Sequence, residues 1–139
     1  MTTETNVQQP TISAAIIVQD GRVLMVRRRV AEGSLSWQFP AGAIEAGESA
    51  EDAAVRETSE EVGLTVRPIV SLGQRVHPAT KRNMIYVACE IVGGTARVAD
   101  TEELAEVAWC SREELPTYVP HGVWEPVQRY LDVALTDRA

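Results

Sequence analysis

The sequence predicts a single domain of the mixed α/β (α+β) class. Its 139 residues match the usual length of one domain, and no internal repeat, low-complexity tract or linker divides them. Segments rich in apolar and β-branched residues indicate strands, and stretches with apolar residues at helical spacing indicate helices among and after them. We therefore expect residues 11–139 to form the domain and residues 1–10 to be a flexible N-terminal arm.

A hairpin is predicted at the start of the domain, because two apolar segments flank a turn signal. The strands are Thr11–Val18 and Arg22–Arg29, and Gln19-Asp20-Gly21 forms the turn. Downstream, we expect a loop over 30–36, a short extended segment over 37–39 that Pro40 ends, and a second loop over 41–47.

The clearest helix is predicted over Ser49–Val62. Ser49 can cap its first turn, and Asp52 follows three residues later, as in a capping box. Gly63 suits the left-handed position that ends a helix. Beyond this helix the pattern predicts strands over 66–76, 84–92 and 104–110, a short capped helix from 111 and a C-terminal helix over 124–135.

The composition limits the classes of partner. The formal net charge is −7 at pH 7, which argues against nonspecific binding to a nucleic-acid polymer or to an anionic membrane. A small phosphorylated ligand is not excluded, because it needs only a local positive site or a bound cation. No apolar run approaches the roughly 20 residues of a membrane span. Residues 1–10 lack a signal-peptide pattern and the two cysteines form no CxxC, so we expect a cytoplasmic protein with buried free thiols.

The helix over Ser49–Val62 has an acidic side. Glu57, Glu60 and Glu61 share one side, because residues three and four apart on a helix are neighbours, and Arg56 flanks them. The opposite side, which can pack into a core, carries Val55, Thr58 and Val62. Clustered carboxylates repel one another, and a hard cation such as Mg²⁺ or Mn²⁺ would remove that conflict. The alternative is a solvated acidic helix face.

The wider stretch from Gly42 to Leu64 resembles the Nudix box, G-x5-E-x7-R-E-U-x-E-E-x-G-U, where U is a bulky aliphatic residue. It reads GAIEAGESAEDAAVRETSEEVGL. The matching positions are Gly42, Glu48, Arg56, Glu57, Glu60, Glu61, Gly63 and Leu64. Thr58 departs from the pattern at a packing position that a β-branched residue can fill. Trp37 to Gly42 also resembles the family's Trp-x-x-Pro-Gly-Gly approach, with Ala41 in place of the first glycine.

This resemblance implies a Nudix-type α/β/α sandwich around a mixed β-sheet, and an enzyme that hydrolyses a nucleoside diphosphate linked to another group, X. Water would attack phosphorus with the help of Mg²⁺ or Mn²⁺. The resemblance assigns the metal to Glu57, Glu60 and Glu61, with the Gly42 carbonyl as a further ligand. Arg56 would orient or partly neutralise a carboxylate. One of the helix carboxylates, or Glu103 on a later loop, would orient and deprotonate the water; Glu103 could equally be an exposed turn residue.

Substrate contacts are predicted from basic and aromatic residues. By resemblance, Arg28 ends a strand where the family often places a phosphate-binding arginine, and Trp37 could stack on a base. Residues 75–83 form a basic patch, from which His77, Lys81 and Arg82 could contact base, sugar or phosphate; the alternative is a solvated hairpin loop. We expect a small nucleotide or nucleotide conjugate as substrate and a homodimer as one possible assembly. The competing function is a Nudix-fold module that senses a ligand without hydrolysing it.

Overall fold

The computed structural model describes residues 9–32 and 35–135, so most of the predicted N-terminal arm lies outside the described residues. These described residues form seven strands and three helices, which follow the predicted order except for one short additional strand, β4. The strands are β1 (Ile12–Gln19), β2 (Arg22–Glu32), β3 (Leu35–Gln38), β4 (Ala41–Ala43), β5 (Thr65–Val76), β6 (Asn83–Gly93) and β7 (Leu104–Cys110). The helices are α1 (Ala50–Val62), α2 (Leu115–Tyr118) and α3 (Glu125–Ala134).

The strands form a mixed sheet in which β1 is central. β1 pairs in parallel with β6 and antiparallel with β2 and β4. β5 lies beyond β6, while β3 and β7 both pair with β2. The short strand β4 lies beside the first half of β1, with Gly42 opposite Ser13. This pairing brings β4 close to the helix that follows it in the sequence.

The sheet separates two cores, because alternate residues of a strand point to opposite faces. Ala15 and Ile17 of β1 pack with Ala54 and Val62 of α1 on one face. On the other face, Ala14 and Ile16 belong to a core that includes Leu115 of α2 and Val127 and Leu131 of α3. The predicted α/β/α sandwich is therefore confirmed. Cys89 and Cys110 are buried free thiols, one in each core.

Both predicted ends of the acidic helix are confirmed. Ser49 is the N-cap of α1, and its hydroxyl accepts a hydrogen bond of 3.0 Å from the N–H of Asp52. Gly63 takes the left-handed conformation with φ of 72°, and its N–H donates to Ser59. The hydroxyl of Ser13 donates to the Ala50 carbonyl at 2.7 Å, which ties the helix start to β1. Thr58 is fully buried, in agreement with its predicted packing role.

Two predicted loops are wrong in part. β2 runs on to Glu32 and β3 begins at Leu35, within the loop predicted over 30–36. Residues 41–43 form β4, although they belong to the stretch 41–47 that was assigned to a loop because it contains two glycines. Their strand conformation depends on pairing with Ile12 to Ala14 of β1, a contact that local sequence does not encode.

Candidate active site

The carboxylate of Glu57 lies directly against the backbone of β4. A Cβ atom built on Gly42 would be 2.0 Å from Cδ of Glu57 and 2.2 Å from its Oε2, which no real Cβ tolerates. Glycine at position 42 therefore leaves the space that the Glu57 carboxylate fills. Burial raises the pKa of Glu57, although a hydrogen bond of 2.9 Å from Arg56 opposes that effect.

Glu61, one turn further along α1, is the most deeply buried acid of the site. Its exposed fraction is 3%, and the Ala41 N–H donates to its carboxylate. Burial raises the pKa of Glu61 to about 8, while Arg28 opposes that effect and Glu57 adds to it. Its Oε1 atom is buried and has no hydrogen-bond partner among the residues that the structure describes. A buried carboxylate oxygen left unpaired is costly for the protein alone and is open to a cation.

Arg56 connects the loop before α1 to the acidic side of the helix. Its guanidinium donates to both carboxylate oxygens of Glu48, at 2.8 and 2.9 Å, and to the Ala43 carbonyl at 3.0 Å. The same guanidinium bonds to Glu57. These contacts lower the pKa of Glu48 to about 2 and raise that of Arg56. Arg56 thus positions Glu57 and fixes the loop–helix junction.

Glu60 lies further out than the other two glutamates. Its side chain is 57% exposed and approaches Arg56 Nη1 at 3.4 Å. In the described part of the chain, no three His, Cys, Asp or Glu side chains are clustered closely enough to hold a metal ion as they stand. The arrangement nevertheless fits a hard divalent cation. Glu57 and Glu61 offer carboxylate oxygens, one of them buried and unpaired, and an exposed Glu60 can turn toward them.

Arg28 brings a positive charge to the same place. Arg28 lies in the second half of β2, where its Nη1 is 3.6 Å from Oε2 of Glu61 and its Nη2 donates to the carboxylate of Glu103. The backbone of Glu103 is fixed, because its carbonyl accepts from Arg29 and its N–H donates to Asp100. The fold therefore joins Arg28, Glu61 and Glu103, which are distant in sequence, at the edge of the acidic site.

A cavity of about 590 Å³ opens on the other side of β4. Ala41 links the two sites, because its N–H bonds to Glu61 and the residue also lines the cavity. The walls are largely aromatic and apolar: Trp37, Phe39, Tyr86, Tyr118, Trp124, Met25 and Met84. A flat aromatic group would fit between such walls. The acidic site and the cavity are therefore adjacent, separated by a three-residue strand.

Three of the five residues predicted to bind substrate lie at these two sites. Trp37 and His77 line the cavity, and Arg28 lies at the acidic site. Lys81 and Arg82 do not belong to the cavity lining. Lys81 is exposed at a turn with φ of 64°, and the Arg82 guanidinium donates to the Pro10 carbonyl. The structure therefore does not place these two residues at the cavity.

Sequence reasoning missed most of the aromatic cavity. Tyr86, Tyr118, His121 and Trp124 were not singled out as site residues, and all four line the cavity. Trp124 is also partly buried against the neighbouring core. The signal available in the sequence was the small number of aromatic residues, which are three Trp, three Tyr and one Phe. Five of these seven line the cavity.

The fold and the acidic site define a member of one known family. The family model of the NUDIX domain matches residues 7–131, and the chain belongs to this family. The resemblance read from residues 42–64 is thereby confirmed. A crystal structure of a NUDIX hydrolase from Nitrosomonas europaea is similar with a TM-score of 0.75 at 22% identity. That match covers 94% of this chain and 74% of the other, and it shows the fold.

Two curated relatives illustrate the sequence similarity. The 8-oxo-dGDP phosphatase of Mus musculus is 32% identical over 109 residues, which are 76% of this chain and 33% of the relative. The NAD-capped RNA hydrolase of Mycobacterium bovis is 33% identical over 126 residues, 83% of this chain and 38% of the relative. This chain thus spans between about a third and two-fifths of the length of these relatives.

Within the described residues, no helix combines the length and apolar character needed to cross a membrane.

Proposed function

We propose that this chain hydrolyses a diphosphate linkage in a nucleoside diphosphate-X substrate, with Mg²⁺ or Mn²⁺ as cofactor. The observation that carries the proposal is the pairing of two sites across β4. Glu57 and Glu61 lie against its backbone on one side, and an aromatic cavity opens on the other. A base in the cavity would place its phosphates near the carboxylates, because only the Ala41–Ala43 strand separates them.

Each residue has a role that follows from its position. Glu57, Glu61 and, after turning inward, Glu60 would hold the cation, with the Gly42 carbonyl beside them. When bound, the cation would neutralise phosphate charge, polarise the P–O bonds and lower the pKa of water. Arg56 holds the Glu57 carboxylate in place, and the Arg28 guanidinium would bind a phosphate oxygen.

Two residues are candidates for the base that orients and deprotonates the attacking water. Glu61 is buried beside Arg28, whereas the Glu103 side chain is 54% exposed and already paired with Arg28. An exposed carboxylate at the edge of the site can approach a bound substrate without unpacking the core. We therefore propose Glu103, on the later loop, as the base that deprotonates the water, and the carboxylates of α1 as ligands of the metal ion.

The substrate class is narrowed only to nucleotides and their conjugates. One relative is named for 8-oxo-dGDP and another for NAD-capped RNA, so X and the base differ even among similar proteins. The aromatic walls of the 590 Å³ cavity suit a base, and the net charge of −7 favours a small nucleotide over a nucleic-acid polymer. We also propose that the protein acts in the cytoplasm. Light scattering on the purified protein would test whether it forms a homodimer.

The test is a panel of nucleoside triphosphates, oxidised nucleotides, nucleotide sugars and dinucleotides, assayed with Mg²⁺ and Mn²⁺. Phosphate and pyrophosphate, measured separately, would identify the bond attacked. Glu57→Gln and Glu61→Gln should lower kcat by about 10²–10⁴-fold. The matched control, Glu125→Gln, removes an exposed acid on α3 and should retain full activity. Full activity in both helix variants would refute the proposal. Binding without turnover by the intact chain would instead support the ligand-sensing module.

A further inference from the structure

The guanidinium of Arg75 packs against the aromatic wall of the cavity. Its Cζ atom lies 5.5 Å from the Trp124 ring centroid and 5.8 Å from that of Tyr86. Its Nε donates to the Tyr86 hydroxyl at 3.2 Å, and that hydroxyl donates to the Met84 sulfur. Gly73 permits this packing, because a Cβ there would lie 3.1 Å from Trp124. Two rings and one hydroxyl therefore fix the orientation of the guanidinium.

The two terminal nitrogens of Arg75 remain available to a ligand. Among the described residues, only the Tyr86 hydroxyl accepts a hydrogen bond from this guanidinium. The planar fork of an arginine presents its donors in a fixed geometry and stacks readily on aromatic rings. A guanidinium held in this way can recognise a pair of acceptor atoms without a large loss of side-chain freedom.

The charge of the cavity points the same way. The chain has 20 Asp and Glu residues, yet none is among the residues that line the cavity. Its basic and imidazole side chains are those of Arg75, His77 and His121, and its only other titratable groups are the phenols of Tyr86 and Tyr118. A ligand group that turns N–H donors toward Arg75 would find no carboxylate there to accept them. A group with acceptor oxygens or ring nitrogens would find the open fork.

We propose that Arg75 is a specificity-determining residue. It selects substrates in which the chemical group bound in the cavity faces the guanidinium with hydrogen-bond acceptors and without hydrogen-bond donors. In a nucleobase this chemistry is the O6 and N7 edge of guanine or hypoxanthine, in contrast to adenine with its N6 amino donor. In an X group it is the oxygens of an anion. The inference rests on the proposed function, because it requires that part of the substrate enters this cavity.

The experiment measures binding without hydrolysis. Trp37 and Trp124 line the cavity, so a ligand there should change tryptophan fluorescence. Titrations in EDTA use GMP, IMP, AMP and, as the anionic probe without a base, ribose 5-phosphate. We expect the wild-type protein to bind GMP and IMP roughly 5- to 150-fold more tightly than AMP. Arg75→Gln should remove that preference, because an amide can pair with the adenine edge.

The controls separate the two sources of the acceptor chemistry. If ribose 5-phosphate binds and Arg75→Lys retains that binding, the anionic group is the one selected. If Arg75→Lys loses the preference for GMP over AMP, the two donors of the arginine guanidinium are required, and Arg75 selects the O6 and N7 edge of the base. Arg67→Gln is the matched control, because Arg67 lies on the same strand but pairs with Glu90 outside the cavity.

An unchanged GMP-to-AMP ratio in a folded Arg75→Gln variant, together with ribose 5-phosphate binding that does not depend on Arg75, would overturn the inference. If that variant fails to fold by circular dichroism, the same measurements on Arg75→Lys decide. Failure of the proposed function is separate: it would appear as no turnover of any nucleotide with metal, whatever the monophosphates bind.

Discussion

The carboxylate of Glu57 fills the space in which a side chain at position 42 would begin, so glycine at position 42 is what leaves room for it. A Cβ on Gly42 would be 2.0 Å from Cδ of Glu57. The atoms that would have to move are the far end of a flexible side chain, so the cost to folding should be small. The cost to the site should be large, because the carboxylate would be displaced by an ångström or more.

Gly42→Ala should therefore separate activity from stability. We expect kcat/KM to fall by about 10²-fold, the typical effect of an ångström-scale displacement at a reacting centre. The free energy of unfolding from urea titration should fall by only about 1–2 kcal/mol. Gly93→Ala is the control, since a Cβ there meets nothing within 4 Å and should change neither quantity. Full activity in Gly42→Ala would show that the Glu57 position is not needed.

Adding a divalent cation should stabilise the protein. A ligand that binds only the folded state raises the free energy of unfolding by about 2.7 kcal/mol at 100 times its Kd. Mg²⁺ or Mn²⁺ should do so by neutralising Glu57 and Glu61, whose oxygens include an unpaired buried atom. Glu61→Gln should abolish this effect, and Glu125→Gln should retain it. An equal metal effect in Glu61→Gln would place the cation elsewhere.

Arg28 and Arg27 provide a matched pair for the phosphate contact. Arg28 faces Glu61 and Glu103, whereas the side chain of Arg27 pairs with Glu106 and is 37% exposed. Arg28→Ala should raise KM about 10- to 100-fold, because a charge-assisted hydrogen bond to phosphate contributes about 1.5–3 kcal/mol. Arg27→Ala should leave KM within about twofold, as exposed ion pairs contribute little. Equal effects of the two substitutions would contradict the assignment.

The Glu48–Arg56 pair predicts a specific loss of stability in acid. The contact lowers the pKa of Glu48 from 4.5 to about 2, so folding favours its ionised form. Its contribution to the free energy of unfolding is therefore complete above pH 4.5 and is lost as the pH falls to about 2. Unfolding of wild type and Glu48→Gln, followed across this range, should show a difference that vanishes at the acid end. Parallel curves would exclude this linkage.

The sequence by itself determined α1 and the row of carboxylates that it carries. Ser49 and Gly63 fix the ends through contacts within a few residues, and the spacing of Glu57, Glu60 and Glu61 sets their shared side. These features depend on local geometry, so the pattern of residues 42–64 was enough to predict them. The order of strands and helices predicted only a mixed α/β (α+β) domain, and the α/β/α sandwich was implied by the resemblance of residues 42–64 to the Nudix box.

Only the tertiary structure decided what surrounds that helix. β4 is a strand because Ala41 to Ala43 pair with β1, and that pairing sets the Glu57 carboxylate against Gly42. Arg28 and Glu103 meet across 75 positions of sequence, and the cavity gathers aromatic residues from β3, β6, α2 and the start of α3. Contacts of this kind arise from long-range strand pairing and helix packing, which leave no local signal. The candidate metal ligands were thus predictable from one segment, whereas the proposed selectivity depends on residues that only folding brings together.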